Sequence, residues 1–292
     1  MKKMLKKLVI GTERRLMRLW PTLAIRLRYF RLFGKWLNLK NPKTLAEKIQ
    51  WMKLHHQDPL LVKLADKYQV RAHIERTIGA DYLIPMPFVW EHAEDVDFSL
   101  LPESFVLKPN NSSGRVLICK EKAALDVEAA RKTLEAWEKE NLTKITGEWI
   151  YEKIPFRIVC EEFLEDKIVD YKMYYGGGQF ICTQVIGGRS EGNKTFGYMD
   201  ENWQLLPIRR KGVPAMKQAP EKPEAYEEML EIAGKLAQGF SFIRVDLYYV
   251  AGKVYFGELS FYPNNGFIAY ETPEMDAYFA SRIVLPREEA GR

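Results

Sequence analysis

The chain has 292 residues, 47% hydrophobic and 28% charged, with a formal charge of +5, which fits a globular protein of one large domain or two lobes around a sizeable core. No apolar run reaches the ~18 residues needed to cross a bilayer. The three cysteines, Cys119, Cys160 and Cys182, are scattered and form no metal-type CxxC spacing, so reduced thiols in a cytoplasmic protein are expected.

The positive charge is concentrated at one end. Residues 1–40 hold twelve Lys or Arg and one acid, Glu13, giving +11 there and −6 for the rest. The apolar stretch near Leu8 is short and has no cleavage site, so no signal peptide is expected. Lys and Arg alternate with Leu, Trp, Tyr and Phe at loosely helical spacing. Such a helix can lie on an anionic leaflet, at ~1 kcal/mol per basic residue near the surface. On that reading the protein sits on the inner face of the cytoplasmic membrane or on membrane-bound glycan machinery, and residues 1–38 can be removed without changing the fold. The alternative is a helix packed on the main body with its basic face in water. No motif supports a nucleic-acid partner.

Asn41-Pro42 ends the basic segment. Thr44-Leu-Ala-Glu47 is a capping box and predicts a helix from about Leu45 to His56. Asp58-Pro59 starts another, running to about Thr77. Residues 105–109 and 115–120 read as strands, and Asp126 caps a helix to about Asn141. Residues 157–163, 170–175 and 179–186 read as three more strands. Pro223 starts a helix to about Gln238, and a short helix begins near Pro273. Hairpin-like neighbours outnumber βαβ alternations, so an α+β fold with antiparallel sheets is expected. The expected divisions are 1–40, 41–104, 105–165 and 166–292. No GxGxxG or Walker A sequence occurs.

Three motifs carry chemistry. Residues 242–266 contain two β-rich runs around Ala251-Gly252, and each run holds one carboxylate, Asp246 or Glu258. Two carboxylates buried on one face repel, and a divalent cation between them removes the repulsion. Hard oxygens on a rigid hairpin suit Mg²⁺ bridging to nucleotide phosphates. A two-residue turn alone would put the pair on opposite faces; an odd loop or a bulge is expected to bring them opposite each other. In Lys108-Pro-Asn110-Asn-Ser112-Ser113-Gly114-Arg115, a strand ends in a lysine and a small polar loop, suited to cradle phosphate. Glu161 and Glu162 are adjacent in an apolar strand and point to opposite faces, so one of them can accept from an adenine amino group or a ribose hydroxyl.

In this order the motifs resemble the ATP-grasp superfamily. PKTLAEKIQWMKL, LADKYQVR, FVLKPNNSSG, CEEFL, DYKMYY and RVDLYYVAGKVYFGELSF are similar to the TupA-like ATP-grasp family across roughly residues 41–270. The resemblance implies two α+β lobes holding ATP. Lys67 and Lys108 would meet the phosphates, Glu161, Glu162, Phe163 and Leu164 would form the adenine and ribose hinge, and Asp246 and Glu258 would bind Mg²⁺. The family usually has Asn two residues after the second ligand. Here Ser260 stands in that place, and Ser260, Asn264 or Asn265 would supply the third ligand. Arg244, Lys172 and Arg189 are further basic candidates for the catalytic site, with Arg244 and Arg189 assigned to the acceptor carboxylate or the transferred phosphate. The implied activity joins an amino acid or amine to a uronic acid of a bacterial surface polysaccharide, through an acyl phosphate. A glycan kinase of the same fold and a non-catalytic membrane scaffold are the alternatives.

Overall fold

In a computed structural model that describes residues 15–17, 19–140, 146–165, 168–188 and 192–286, two antiparallel sheets carry the architecture. The first contains β1 (Phe88–Trp90), β2 (Phe105–Pro109), β3 (Leu117–Cys119) and β4 (Ile158–Glu162), in the order β1-β4-β2-β3. The second contains β5 (Asp170–Gly176), β6 (Gln179–Gly187), β7 (Thr195–Met199), β8 (Phe242–Val250) and β9 (Lys253–Ser260), in the order β7-β6-β5-β8-β9. This is the expected α+β fold. β1 and β7 are additions to the sequence reading. Both are edge strands whose runs are too short or too glycine-interrupted to show a period of two.

The helices are α1 (Pro21–Phe33), α2 (Leu45–His55), α3 (Pro59–Ala65), α4 (Val70–Thr77), α5 (Val127–Lys139), α6 (Trp149–Glu152), α7 (Tyr226–Leu236) and α8 (Pro273–Ala280). The capping box of α2 is made in both directions, with the Thr44 hydroxyl accepting from the Glu47 amide and Glu47 accepting from the Thr44 amide. The single helix expected from Pro59 to Thr77 is broken into α3 and α4. Asp66 is fully buried and accepts from the Tyr68 amide, Gln69 Nε2 and Asn110 Nδ2. A short polar side chain that bonds the backbone two residues on competes with the helix ladder, so Lys67 sits in the break.

The first sheet packs Phe105, Leu107, Ile158 and Cys160 against Ala130 and Leu134 of α5. The larger core joins the second sheet to α2, α3, α4 and α7 through Ile49, Leu64, Ile74, Met173, Val245 and Met229. All three cysteines are buried and free. α1 closes a smaller cluster in which Ala24, Ile25 and Tyr29 meet Leu37 and Ala46, and the Tyr29 hydroxyl lies 3.4 Å from Thr44 Oγ1. Removing residues 1–38 would therefore uncover part of the core, contrary to the sequence expectation. The part of the basic segment in residues 1–14 lies outside the described residues.

The β8–β9 hairpin fixes the carboxylates. Ala251 (φ 50°) and Gly252 (φ 79°) form a two-residue turn that pairs Val250 with Lys253. A regular ladder from that turn would set Asp246 opposite Gly257. Instead the register shifts after Asp246, and Asp246 faces Glu258 with Gly257 as the extra residue. A Cβ at Gly257 would lie 3.0 Å from both the Asp246 carbonyl oxygen and the Tyr248 ring. Gly257→Ala is expected to cost about 1–3 kcal/mol by overpacking, read as a lower urea midpoint. An unchanged midpoint would show that the bulge does not need a bare Cα.

Candidate functional site

A cavity of about 500 Å³ opens between the two sheets. That size is within the range of small-molecule sites. Lys67 lines it from the α3–α4 break, Lys108, Ser113, Gly114, Arg115, Glu161 and Glu162 from the first sheet and its loops, and Phe163 and Leu164 from the segment after β4. From the second sheet come Lys172, Arg244, Asp246 and Glu258. Residues more than 190 positions apart in sequence thus meet on one space.

On the second sheet, alternation along β8 sends Arg244 and Asp246 to the same face, and pairing brings Lys172 beside Asp246 on one side and Glu258 on the other. Arg244 Nε donates to Asp246 Oδ1 at 2.5 Å, and its Nη2 donates to Asp246 Oδ2 at 2.7 Å, Glu258 Oε1 at 2.9 Å and Ser260 Oγ at 3.0 Å. Ser260 donates to Glu258 Oε1 at 3.1 Å. Lys172 Nζ donates to Asp246 Oδ2 and lies 3.4 Å from Asp170. The Asp246 side chain is 1% exposed, and that of Glu258 is 29% exposed.

Burial alone would lower the Lys172 pKa, but the Asp246 carboxylate raises it above the ordinary lysine value, so it stays charged. Burial likewise works against an ionised Glu258, yet Arg244, Lys67 and Lys172 hold its carboxyl below the usual range. Lys67 is shifted the other way: desolvation lowers it, and Glu258 only partly offsets that.

The residues fit a hard divalent cation. Two carboxylates face each other on adjacent strands with a hydroxyl beside them, the donor set Mg²⁺ takes. Among the described residues no group of three or more His, Cys, Asp or Glu is arranged to hold a metal ion without other ligands. Ser260 or oxygens of the bound ligand would complete the shell. Of the other third-ligand candidates, Asn265 is engaged elsewhere: its Oδ1 accepts from Lys53 Nζ at 2.6 Å, and its Nδ2 donates to the Thr146 carbonyl. Asn264 lines the cavity but accepts from Arg210 Nη2 at 3.0 Å.

On the first sheet, Lys108 donates to Glu161 across the β2–β4 pair, and from the α3–α4 break Lys67 donates to the Ser112 carbonyl. Lys67 therefore tethers the phosphate-type loop. Two loop residues are not where the sequence reading put them. Asn110 is fully buried and donates to Asp66 and the Pro155 carbonyl while accepting from the Arg157 amide, so it braces the loop from beneath. Ser112 is also buried, and its hydroxyl has no partner among the described residues. Arg115 reaches the cavity and pairs with Glu140. Glu162 is exposed, and its amide donates to the Pro85 carbonyl. Arg189 lies outside the described residues.

A second chamber of about 250 Å³ adjoins the first, sharing Ser113, Arg244 and Asn264 with it. Glu148, Tyr151, Ser260 and Tyr262 help enclose it. Its acid Glu148 belongs to no motif in the sequence, and the neighbouring Lys53, though within PKTLAEKIQWMKL, was not singled out. Burial pushes the Lys53 amine down to about 7 and raises Glu148. Asp170, Gln184 and Arg210 also line the main cavity. Of these only Asp170 could have been read, from its place in Asp170-Tyr-Lys172.

Two antiparallel α+β layers closing on a cleft with lysines on one wall and paired carboxylates on the other define an ATP-grasp protein. A family model described as TupA-like ATPgrasp matches residues 47–284, and the chain belongs to that family. Among solved structures it is similar to D-alanine–D-alanine ligase from Bacillus anthracis complexed with ATP, at 16% identity and TM-score 0.41, covering 68% of this chain and 53% of that one. It is also similar to N5-carboxyaminoimidazole synthetase from Staphylococcus aureus complexed with ADP, at 14% identity and TM-score 0.45, covering 84% and 60%. The chain thus spans a little over half the length of these structures. No curated protein sequence matches it.

Proposed function

We propose that the protein is an ATP- and Mg²⁺-dependent carboxylate–amine ligase that joins an amino acid or amine to a uronic acid of a bacterial surface polysaccharide. The observation that carries this reading is the pair of adjoining chambers with shared walls. One is of nucleotide size, the second adjoins it, and Arg244 belongs to both.

A carboxylate oxygen of the uronic acid bonds to the γ-phosphorus, and ADP leaves. The amine nitrogen then bonds to the acyl carbon, phosphate leaves, and the nitrogen gives up a proton. Most of the acceleration comes from positioning and charge neutralisation. Lys67 and Lys108 act as point charges on the α- and β-phosphates. Glu161, Glu162, Phe163 and Leu164 hold the adenosine. Arg244, already spanning Asp246 and Glu258, binds the acceptor carboxylate or the transferred phosphate, with Lys172 beside it. Asp246 and Glu258 would hold a divalent cation, which when bound would supply charge neutralisation at the phosphates. Ser113, Gly114 and Arg115 cover the γ-phosphate side and exclude water from the acyl phosphate.

The test is ADP release from ATP and Mg²⁺ with uronic-acid oligosaccharides and a mixture of amino acids, with product mass read by mass spectrometry. Release that requires both sugar carboxylate and amine, with an amide product, is expected. A phosphorylated sugar formed with no amine present would replace this reading by a glycan kinase. Absence of Mg²⁺-dependent ATP binding would replace it by a non-catalytic scaffold.

A further inference from the structure

The N-terminal helix wears its apolar residues on the outside. Seven of the fifteen exposed large hydrophobic residues among the described residues fall between Leu19 and Trp36, so apolar exposure is concentrated here and not scattered as usual. Leu23, Leu27 and Phe30 follow at helical spacing along α1, with Trp20 just before it. The opposite side buries Ala24, Ile25 and Tyr29, so the outward stripe is left over after packing is complete. Gly34 at φ 69° ends the helix, its amide donating to the Phe30 carbonyl. Beyond that turn Trp36 stacks on Phe30 at 4.7 Å between ring centroids, extending the stripe. Trp20 and Trp36, at its two ends, are 60% and 61% exposed.

Charge selects the occupant. Arg26, Arg31 and Lys35 are exposed around the stripe, and no acid occurs anywhere from Arg14 to Ala46. A helix with apolar and aromatic residues facing out, basic residues beside them and tryptophans at its ends has the composition of one lying in a headgroup layer. Among the described residues no helix is long and apolar enough to cross a membrane. We infer that the outer face of α1, with Trp36, docks the protein flat on a bilayer rich in anionic lipid. This goes beyond the ligase reading and does not depend on it.

The full-length protein is sedimented with vesicles of phosphatidylcholine alone or with about one third phosphatidylglycerol. Wild type should bind the anionic vesicles and lose binding in high salt. Trp20→Ser/Phe30→Ser/Trp36→Ser should lower binding to background, its far-ultraviolet circular dichroism unchanged because all three side chains are exposed. Arg26→Gln/Lys35→Gln should weaken partitioning roughly 30-fold, the factor for two basic residues near a charged leaflet. Equal binding by either variant, equal binding to neutral vesicles, or no vesicle binding by wild type would overturn the inference. So would a wild-type dimer in solution that the triple serine variant dissolves, because the face would then be a contact between copies of this chain.

Discussion

Glu258→Gln should lower Mg²⁺-dependent turnover of ATP by about 10²–10³-fold, the scale lost when one preorganised electrostatic partner is removed from an active site, with the fold retained. Glu258 is the right member of the pair for this test. It lines the cavity, its side chain is 29% exposed, and Arg244 keeps Asp246 and Ser260 as partners when the charge is lost. Glutamine preserves the volume and can still accept from Ser260. The measurement is steady-state ADP release over a Mg²⁺ titration, with thermal melting as the folding control. Turnover within a few-fold of wild type, at the same Mg²⁺ midpoint, would remove Glu258 from the site.

Asp246→Asn should be a stability variant as much as an activity variant. Asp246 is nearly inaccessible and neutralises both Arg244 and Lys172. Deleting the Asp246 charge leaves Arg244 with only Glu258 and Ser260 and Lys172 with only Asp170, so the buried cluster loses one of its countercharges, at about 3–5 kcal/mol. For a chain of this size that is a fall in Tm on the order of 10 °C. The network makes loss of activity in that variant ambiguous, because it would mix catalysis with unfolding. A Tm within a degree or two of wild type would mean that Glu258 and Asp170 suffice as counter-ions for Arg244 and Lys172, and the Asp246 charge would not be needed to hold the second sheet.

Much of the fold was legible because local signals agreed with it. The Thr44–Glu47 capping box, the Asp126 cap and Pro273 each start a helix where expected. The runs at β5, β6, β8 and β9 read as strands because each is rich in β-branched, aromatic and aliphatic residues that pack into the core. The break between α3 and α4 was not legible. Nothing local distinguishes Asp66 from a solvated helix acid until Asn110, 44 residues later, comes to meet it. For the same reason Asn110 read as a phosphate-loop residue, when its partners Asp66, Pro155 and Arg157 place it beneath the loop. The second chamber was invisible, since Glu148 and Asn265 belong to no shared motif.

The sequence by itself determined the sites of the charges: two acids on one hairpin, a lysine at a strand end before a small polar loop, and a basic, aromatic N-terminal segment. Those follow from residue type and short-range periodicity. The tertiary structure decided the bulge at Gly257 that puts Asp246 opposite Glu258, the Arg244 and Lys172 contacts that hold the pair, and which face of α1 is left outside. Register, ion pairing and residual exposure depend on which distant strands and helices pack together, and no local window of residues contains that.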